Sequence, residues 1–495
     1  MATTSTLNAN RTWVAKAGTV FHCLLFLFLL EGVLLPLNLA ACLITHLLRK
    51  FIQPPQPSTS SDRTGKPVTV LIDGGRLSKG LFLARICKAA GHRVIYTSTS
   101  STNLCGGRFS SAIDVHYTVP RSHENYDKCA SEIRNIILKE KVDLYIPVST
   151  ATSAQTDAKL AEEVVTPAGA KSVSLTQKDT IRLDDKSTFS KWCESLDAPV
   201  PTTIPVNSPQ EAFDHIKRLA TQKSASPSQK YLLKSIQYDD AHRSEIFSAS
   251  LALTNPTALQ SRLSTLEITP SRTWIIQQFI RGNEYCTHVL ALDGKVLDLS
   301  ICPSSHWLLQ YTPIQHSGIT KWIEDFVSKA NLSGHICFDF IEDTDTKLVY
   351  CIECNPRVST AVGCFRSVGA QYGKRIELFL NRSQPGKTPS QSYSKVVTNA
   401  APTLSKTSLL TPPARTPTQY WLYHELILLS RTRRVKAFAS QLYAIVAGQD
   451  ALYDVEDPWP FFAQNHLLIA QQLLLHIRIV RPWSEIDWNL GRLID

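Results

Sequence analysis

The chain has 495 residues, 43% of them hydrophobic and 19% charged, with a formal net charge of +10. Global disorder is excluded, and the length points to two to four domains. The modest positive charge suits phosphates or an anionic membrane, and with no basic motif interleaved with aromatics no nucleic-acid partner is expected.

Residues 1–16 form a polar tail. Within the segment 17–50, the run from Ala17 to Leu48 is almost wholly apolar, broken by His22, Glu31, Pro36, Asn38 and His46. A bilayer span needs about 20 apolar residues, so a membrane anchor is expected, single-pass or monotopic. Glu31 would cost about 2.5–3.5 kcal/mol at a bilayer centre, which leaves room for an interfacial arrangement. Arg49 and Lys50 favour a cytosolic C-terminal side, although Arg11 and Lys16 pull the other way. A cleaved signal peptide near Leu39-Ala40-Ala41 is the rival reading. Residues 51–67 are a Pro/Ser-rich linker.

Residues 68–175 read as a small parallel α/β domain. Strand Val68–Ile72, Gly74-Gly75, a helix from Ser78 to Ala90 and strand Arg93–Tyr96 make a βαβ unit. It lacks G-x-G-x-x-G, which argues against a dinucleotide site. Helix 131–139, strand 142–148 and helix 154–164 continue the alternation.

Residues 176–385 carry the chemistry. Asp185-Lys186 opens a helical pattern, and Tyr231–Ile236 is an apolar strand with Lys234 at its centre, where a snorkelling lysine is the ordinary explanation. Trp274–Ile280 is a buried strand that leads to Glu284, and Asp293-Gly294 marks a hairpin. Strands 335–341 and 347–354 flank an acidic turn. Alternation puts Asp339 on one face with Cys337 and Ile341, and Glu353 with Cys351 and Asn355. Folding the hairpin brings Asp339, Glu353 and Asn355 together, a set that suits one or two Mg²⁺ ions also bound to phosphate. Arg357, past the Pro356 bend, can reach a transferring phosphoryl group. An ordinary hairpin with solvated acids would carry the same residues. Cys351 and Cys354, three apart on a strand, are expected to face opposite ways. With no second pair to complete a zinc site, the twelve cysteines read as free thiols in a reducing compartment.

Residues 386–419 are a Ser/Thr/Pro-rich linker, and 420–495 read as a helical region with pieces over 420–430, 436–447 and 461–479. The last is too polar for a second span and is expected to pack, with one side against the membrane.

The ordered set Lys186, Lys234, Gln-Gln-Phe-Ile followed by Glu284, and D-F…E-x-N-x-R resembles the ATP-grasp superfamily. The implied fold is α/β and α+β: a pre-ATP-grasp parallel domain followed by an ATP-grasp domain. The resemblance implies that Lys186 and Lys234 hold ATP phosphates. It implies that the backbone of Gln277, Gln278, Phe279 and Ile280 meets adenine, and that Glu284 accepts from ribose. Asp339, Glu353 and Asn355 would bind Mg²⁺ (Mn²⁺ as an alternative), and Arg357 and Lys234 would serve catalysis. One departure stands out: the loop 235–245 has no glycine, so His242 or Arg243 would substitute by charge. Longer strings (YLLKSIQYD, WIIQQFIRGNEYCTH, IECNPR, YWLYHE, DALYDVEDPWPF) are similar to ligases of the mycosporine-glycine synthase type and their relatives in fungal secondary-metabolite clusters, the fumisoquin type included. That likeness implies phosphorylation of an acid or enol oxygen and coupling to an amino acid. A membrane-tethered nucleotide-binding scaffold without turnover is the alternative. His288, His306, His316 and His424 are candidates to line the acceptor pocket, with structural histidines the commoner case.

Overall fold

A computed structural model of the chain describes residues 4–52, 67–221, 230–235, 245–248, 251–304, 309–381 and 407–494. Most of both expected linkers, the loop with His242 and Arg243, and His306 lie outside these residues.

Five parallel strands come first: β1 (Thr69–Asp73), β2 (Arg93–Ser98), β3 (Val115–Thr118), β4 (Leu144–Pro147) and β5 (Lys171–Ser172), in the order β3-β2-β1-β4-β5. β4 (LYIP) is buried throughout, and β1 (TVLID) is buried along its middle, as helices on both faces require. The chain winds away from β1 on one side and returns to its other side at β4, so the topological switch lies between these two strands. At the carboxyl end of β1, Gly74-Gly75 turns into the helix Ser78–Ala89. A side chain at Gly74 would meet the Tyr96 ring at 2.2 Å, and Gly75 has φ +56°.

Two antiparallel sheets follow. β6 (Thr203–Val206), β7 (Lys230–Ser235), β8 (Glu245–Ser248) and β9 (Trp274–Gln278) pair in the order β6-β9-β7-β8. Their core is separate, built with Phe213, Ile216, Leu259, Leu263 and Ile276. β10 (Gly282–Leu292) and β11 (Lys295–Pro303) begin the second sheet, while β12 (Gln310–Tyr311) pairs with the C-terminal region. β13 (Gly334–Asp343) and β14 (Val349–Asn355) complete it in the order β11-β10-β13-β14. Asp293 and Gly294 both take positive φ, the tight turn expected between β10 and β11. Helix Ser317–Ala330 lays Trp322 and Phe326 on Phe338 and Phe340 behind the sheet. A parallel α/β unit before antiparallel sheets is the fold class expected from the sequence.

An irregularity between Asp339 and Phe340 changes one expectation. Phe338 lies opposite Cys354 and Phe340 opposite Cys351, so both thiols enter one apolar core instead of facing apart. Cys351 therefore does not share the face of Glu353. All twelve cysteines are free and buried.

The N-terminal residues form one long helix, Thr4–Leu27 and Leu35–Ile52 joined through a π-helical stretch, Phe28–Leu34. Among the described residues, Lys16–Leu48 alone is long and apolar enough to cross a membrane, by length and composition. Cys23 and Leu30 belong to the main core, with Val70, Leu81, Phe365 and Trp483. The C-terminal region holds helices Leu422–Arg431, Val435–Ala447 and Trp459–Phe462, the last running through a π-helical stretch into Ala470–Ile479.

Candidate active site

The acidic turn fixes the hairpin. Asp343 Oδ1 accepts from the backbone N–H of Asp345 (2.9 Å) and Thr346 (2.7 Å), a local closure that sets the β13–β14 register. Asp339 then lies opposite Glu353 and Cys337 opposite Asn355. Asn355 Nδ2 donates to Asp339 Oδ2 at 3.0 Å. Pro356 sits at the centre of a γ-turn, with Arg357 N–H donating to Asn355 C=O at 2.7 Å. The turn returns the Arg357 guanidinium to Asn355 Oδ1 and to within 3.8 Å of Asp184 Oδ1.

Three further elements converge on this hairpin. β10 sets Cys286 opposite Asp339 and Glu284 opposite Ile341, two positions along. Asp185 caps the helix Lys186–Ser195 by accepting from Thr188 N–H at 2.7 Å, and Lys186 Nζ comes within 3.6 Å of Glu353 Oε2. Lys234 does not snorkel to open solvent: its Nζ donates to Gln277 Oε1 at 3.2 Å, and Gln277 Nε2 donates to Thr203 Oγ1 at 3.2 Å.

The charges feel one another. Burial pushes the Asp339 carboxyl up to about 7, Glu353 and Glu284 push the same way, and Arg357 opposes them. Burial also raises Glu284, against the pull of Lys234. Lys234 is lowered by burial, with Lys186 adding and Glu353 and Glu284 opposing. Asp339, Glu353 and Glu284 thus share a space with Lys186, Lys234 and Arg357. A buried acid beside two like charges is relieved by a cation, and two carboxylates plus an amide leave the other positions of an octahedral ion to water and phosphate. The residues fit Mg²⁺. Among the described residues no group of three or more His, Cys, Asp or Glu side chains makes a metal cage.

The stretch expected to meet adenine is held in the sheet. Gln277 faces Thr203 and Leu232, Gln278 N–H donates to Thr202 C=O (2.9 Å), and Phe279 N–H donates to Lys230 C=O (3.0 Å). Ile280 follows with its side chain buried.

Two residues escape a reading of the sequence. Lys79 is buried, and its Nζ donates to Ser149 C=O (2.8 Å) and Val358 C=O (2.7 Å). It ties the loop after β4 to the residue after Arg357. Burial and the nearby Arg357 hold its amine down to about 7. Asp184 receives Arg357. The available signals were a lysine inside the apolar run LSKGLFLA and an acid beside Asp185-Lys186. A cavity at this junction is lined by Ser149, Thr180, His335, Arg357 and Val358.

The candidate histidines divide. His288 is buried, lies 2.8 Å from Tyr372 OH and accepts from Ser359 N–H. His316 caps the helix Ser317–Ala330 through Ile319 N–H. His424 lies on helix Leu422–Arg431.

No family model matches the sequence. Among curated proteins, the chain is 26% identical over 271 residues to the C-terminal section of the carbamoyl phosphate synthase large chain of Methanopyrus kandleri, covering 50% of this chain and 46% of that protein. The chain thus spans about half the length of the curated relative it matches. Among solved structures, it is similar to a biotin carboxylase–β,γ-ATP complex from Campylobacter jejuni (14% identity, TM-score 0.48, 65% of this chain and 72% of that one). It is also similar to the biotin carboxylase domain of Hydrogenobacter thermophilus 2-oxoglutarate carboxylase with MgADP (15%, TM-score 0.47, 64% and 70%). A third is an L-amino acid ligase from Bacillus licheniformis (15%, TM-score 0.41, 59% and 67%).

Proposed function

We propose that the protein is an ATP-dependent ligase that phosphorylates a carboxylate or enolic oxygen and couples the activated carbon to an amino-acid amine. One observation carries this reading: Asp339 and Glu353 stand opposite each other across two strands, with Asn355 and Arg357 beside them and Lys186 3.6 Å from Glu353. A carboxylate pair ringed by three cations is what Mg²⁺-bound ATP requires. Asp339, Glu353 and Asn355 would hold Mg²⁺, which neutralises phosphate oxygens when bound. Lys186 and Lys234 hold the phosphates as point charges, and Arg357 meets the charge that develops on the transferring group.

The acceptor oxygen attacks the γ-phosphorus and ADP leaves. The amine nitrogen then attacks the activated carbon, the carbon–oxygen bond breaks, phosphate leaves, and the amine loses a proton. A hydroxide-like oxygen leaves poorly at neutral pH and phosphate leaves readily, which is why ATP is spent. Glu284, whose carboxyl burial raises against the pull of Lys234, is the residue that would accept from the ribose hydroxyls. The name of the Methanopyrus relative, a synthase of carbamoyl phosphate, supports phosphoryl chemistry. The string resemblances support the mycosporine-glycine synthase type and a role in natural-product biosynthesis. The apolar helix Lys16–Leu48 supports membrane association, and Arg49 and Lys50 after it support a cytosolic side for the rest of the chain.

The test is ADP release by the purified chain with MgATP, amino acids and a panel of acids and enols. ADP and phosphate are expected only when acceptor and amine are both present. Nucleotide binding with no release across the panel would favour a tethered scaffold, a reading supported by the glycine-free stretch 235–245.

A further inference from the structure

The N-terminal helix turns its polar residues inward. His22 stacks on Trp483 at 4.4 Å, and Trp483 Nε1 donates to Cys23 Sγ at 3.1 Å. Glu31 Oε1 lies 3.4 Å from His466 Nδ1, and Asn38 Nδ2 lies 2.7 Å from His466 Nε2 and also meets Tyr423 OH. Cys42 Sγ donates to Pro458 C=O, and Thr45 meets Tyr453 OH. Glu31, Asn38 and Thr45 each meet a residue of the C-terminal region and so lie on one face. The opposite face carries Phe21, Leu24, Leu25, Phe28, Leu37 and Ile44, of which Phe21, Phe28 and Leu37 are 68%, 65% and 64% exposed.

A free transmembrane helix cannot make these contacts. They run from His22 to Thr45, about 35 Å of helix axis, which exceeds a hydrocarbon core of about 30 Å. Among their C-terminal partners, Trp483 and Tyr423 belong to the same core as Val70 and Phe365, and Tyr453 packs against it. Threading the helix across a bilayer would break this seam or draw the catalytic body into lipid. A helix with an apolar outer face, its polar residues turned to the protein, suits the plane of the interface.

The C-terminal region adds a second outward apolar face. Helix Val435–Ala447 buries none of its residues, with Val435 84% and Val446 77% exposed. Just before it and in its first turn stand Arg433, Arg434 and Lys436, all exposed. Basic residues beside an apolar face complement anionic headgroups.

We propose that this protein docks on an anionic bilayer surface as a monotopic protein, with Phe21–Leu48 lying in the membrane plane and Val435–Ala447 as a second contact. The proposal is independent of the ligase reading, because it uses no residue of the active site.

The test uses the full chain with epitope tags at both ends, in sealed microsomes. Protease is expected to remove both tags without detergent. An amino-terminal tag protected until detergent is added would mean a span and overturn the proposal. With purified protein, flotation on phosphatidylcholine vesicles is expected to rise severalfold when phosphatidylserine is included, and equal flotation would count against it. The variant carrying Phe21→Ser, Phe28→Ser and Leu37→Ser is expected to lose flotation about tenfold while keeping its nucleotide affinity. Unchanged flotation, or a lipid-free dimer that these changes dissociate and that never binds vesicles, would replace the bilayer by nothing or by a second copy.

Discussion

Glu31 and Asp339 are both acids among apolar residues, and the protein surrounds them in opposite ways. Glu31 faces a histidine and lies one helix repeat from Asn38, which meets the other nitrogen of the same ring. Asp339 faces Glu353 and Glu284, two charges of its own sign, with one amide and one arginine to offset them. Asn38, which meets both His466 and Tyr423, joins two parts of the molecule, whereas Glu31 Oε1 beside it makes no hydrogen bond among the described residues. Polar groups crowded with their own kind wait for a ligand of the opposite charge.

The comparison breaks most sharply at the hairpin. Glu353→Gln and Arg357→Ala are expected to lower turnover by about 10³-fold with the circular dichroism of the wild type. Near-normal activity in either would mean that the crowded acids serve no nucleotide. The next effect belongs to the other region. Trp483→Ala removes the stack on His22 and the donor to Cys23, at a cost of about 3 kcal/mol, with KM for ATP unchanged. A variant that unfolds no more easily would deny the seam its structural part. Lys234→Ala should raise KM for ATP by about tenfold, or about 1.4 kcal/mol. An identical ATP dependence would assign the lysine to Gln277 alone.

The smallest effect is on stability. The Asp339 carboxyl stands near 7 in the folded chain and at about 3.9 when free. Between these values the folded state keeps a proton that the unfolded state has released. Stability without nucleotide therefore falls as pH rises from about 4 to about 7 and stays low above. Asp339→Asn escapes this loss. Its Tm should exceed that of the wild type by a few degrees at pH 8, with the gap closing towards pH 4. A lower Tm at pH 8 would identify a carboxylate already satisfied by the protein.

Much of this was legible in the residues, for local reasons. The turn chemistry of Asp343 and of Asp293-Gly294 sets two hairpin registers, and with period-two alternation it brings Asp339 to Glu353 and Asn355. Gly74-Gly75 announces the strand-to-helix turn. What escaped depends on distance or on one inserted residue. The irregularity beside Asp339 moves Cys351 to the core, and strict alternation cannot foresee it. The bonds of Lys79 join carbonyls 70 and 279 residues away, so its sequence neighbours carry no trace of them. Which face each polar residue of the N-terminal helix takes is likewise absent from its composition.

The seclusion of every sulfhydryl in the chain turns these groups into reporters. While the structure holds, none presents itself to a maleimide or to an oxidant in solution, so modification must wait for an opening event. The sulfurs also sit in different layers: Cys87 under the parallel sheet, Cys193 and Cys351 behind the hairpin, and Cys23 in the seam. Mapping which sulfur is alkylated first as denaturant rises would therefore read out the order in which the layers come apart.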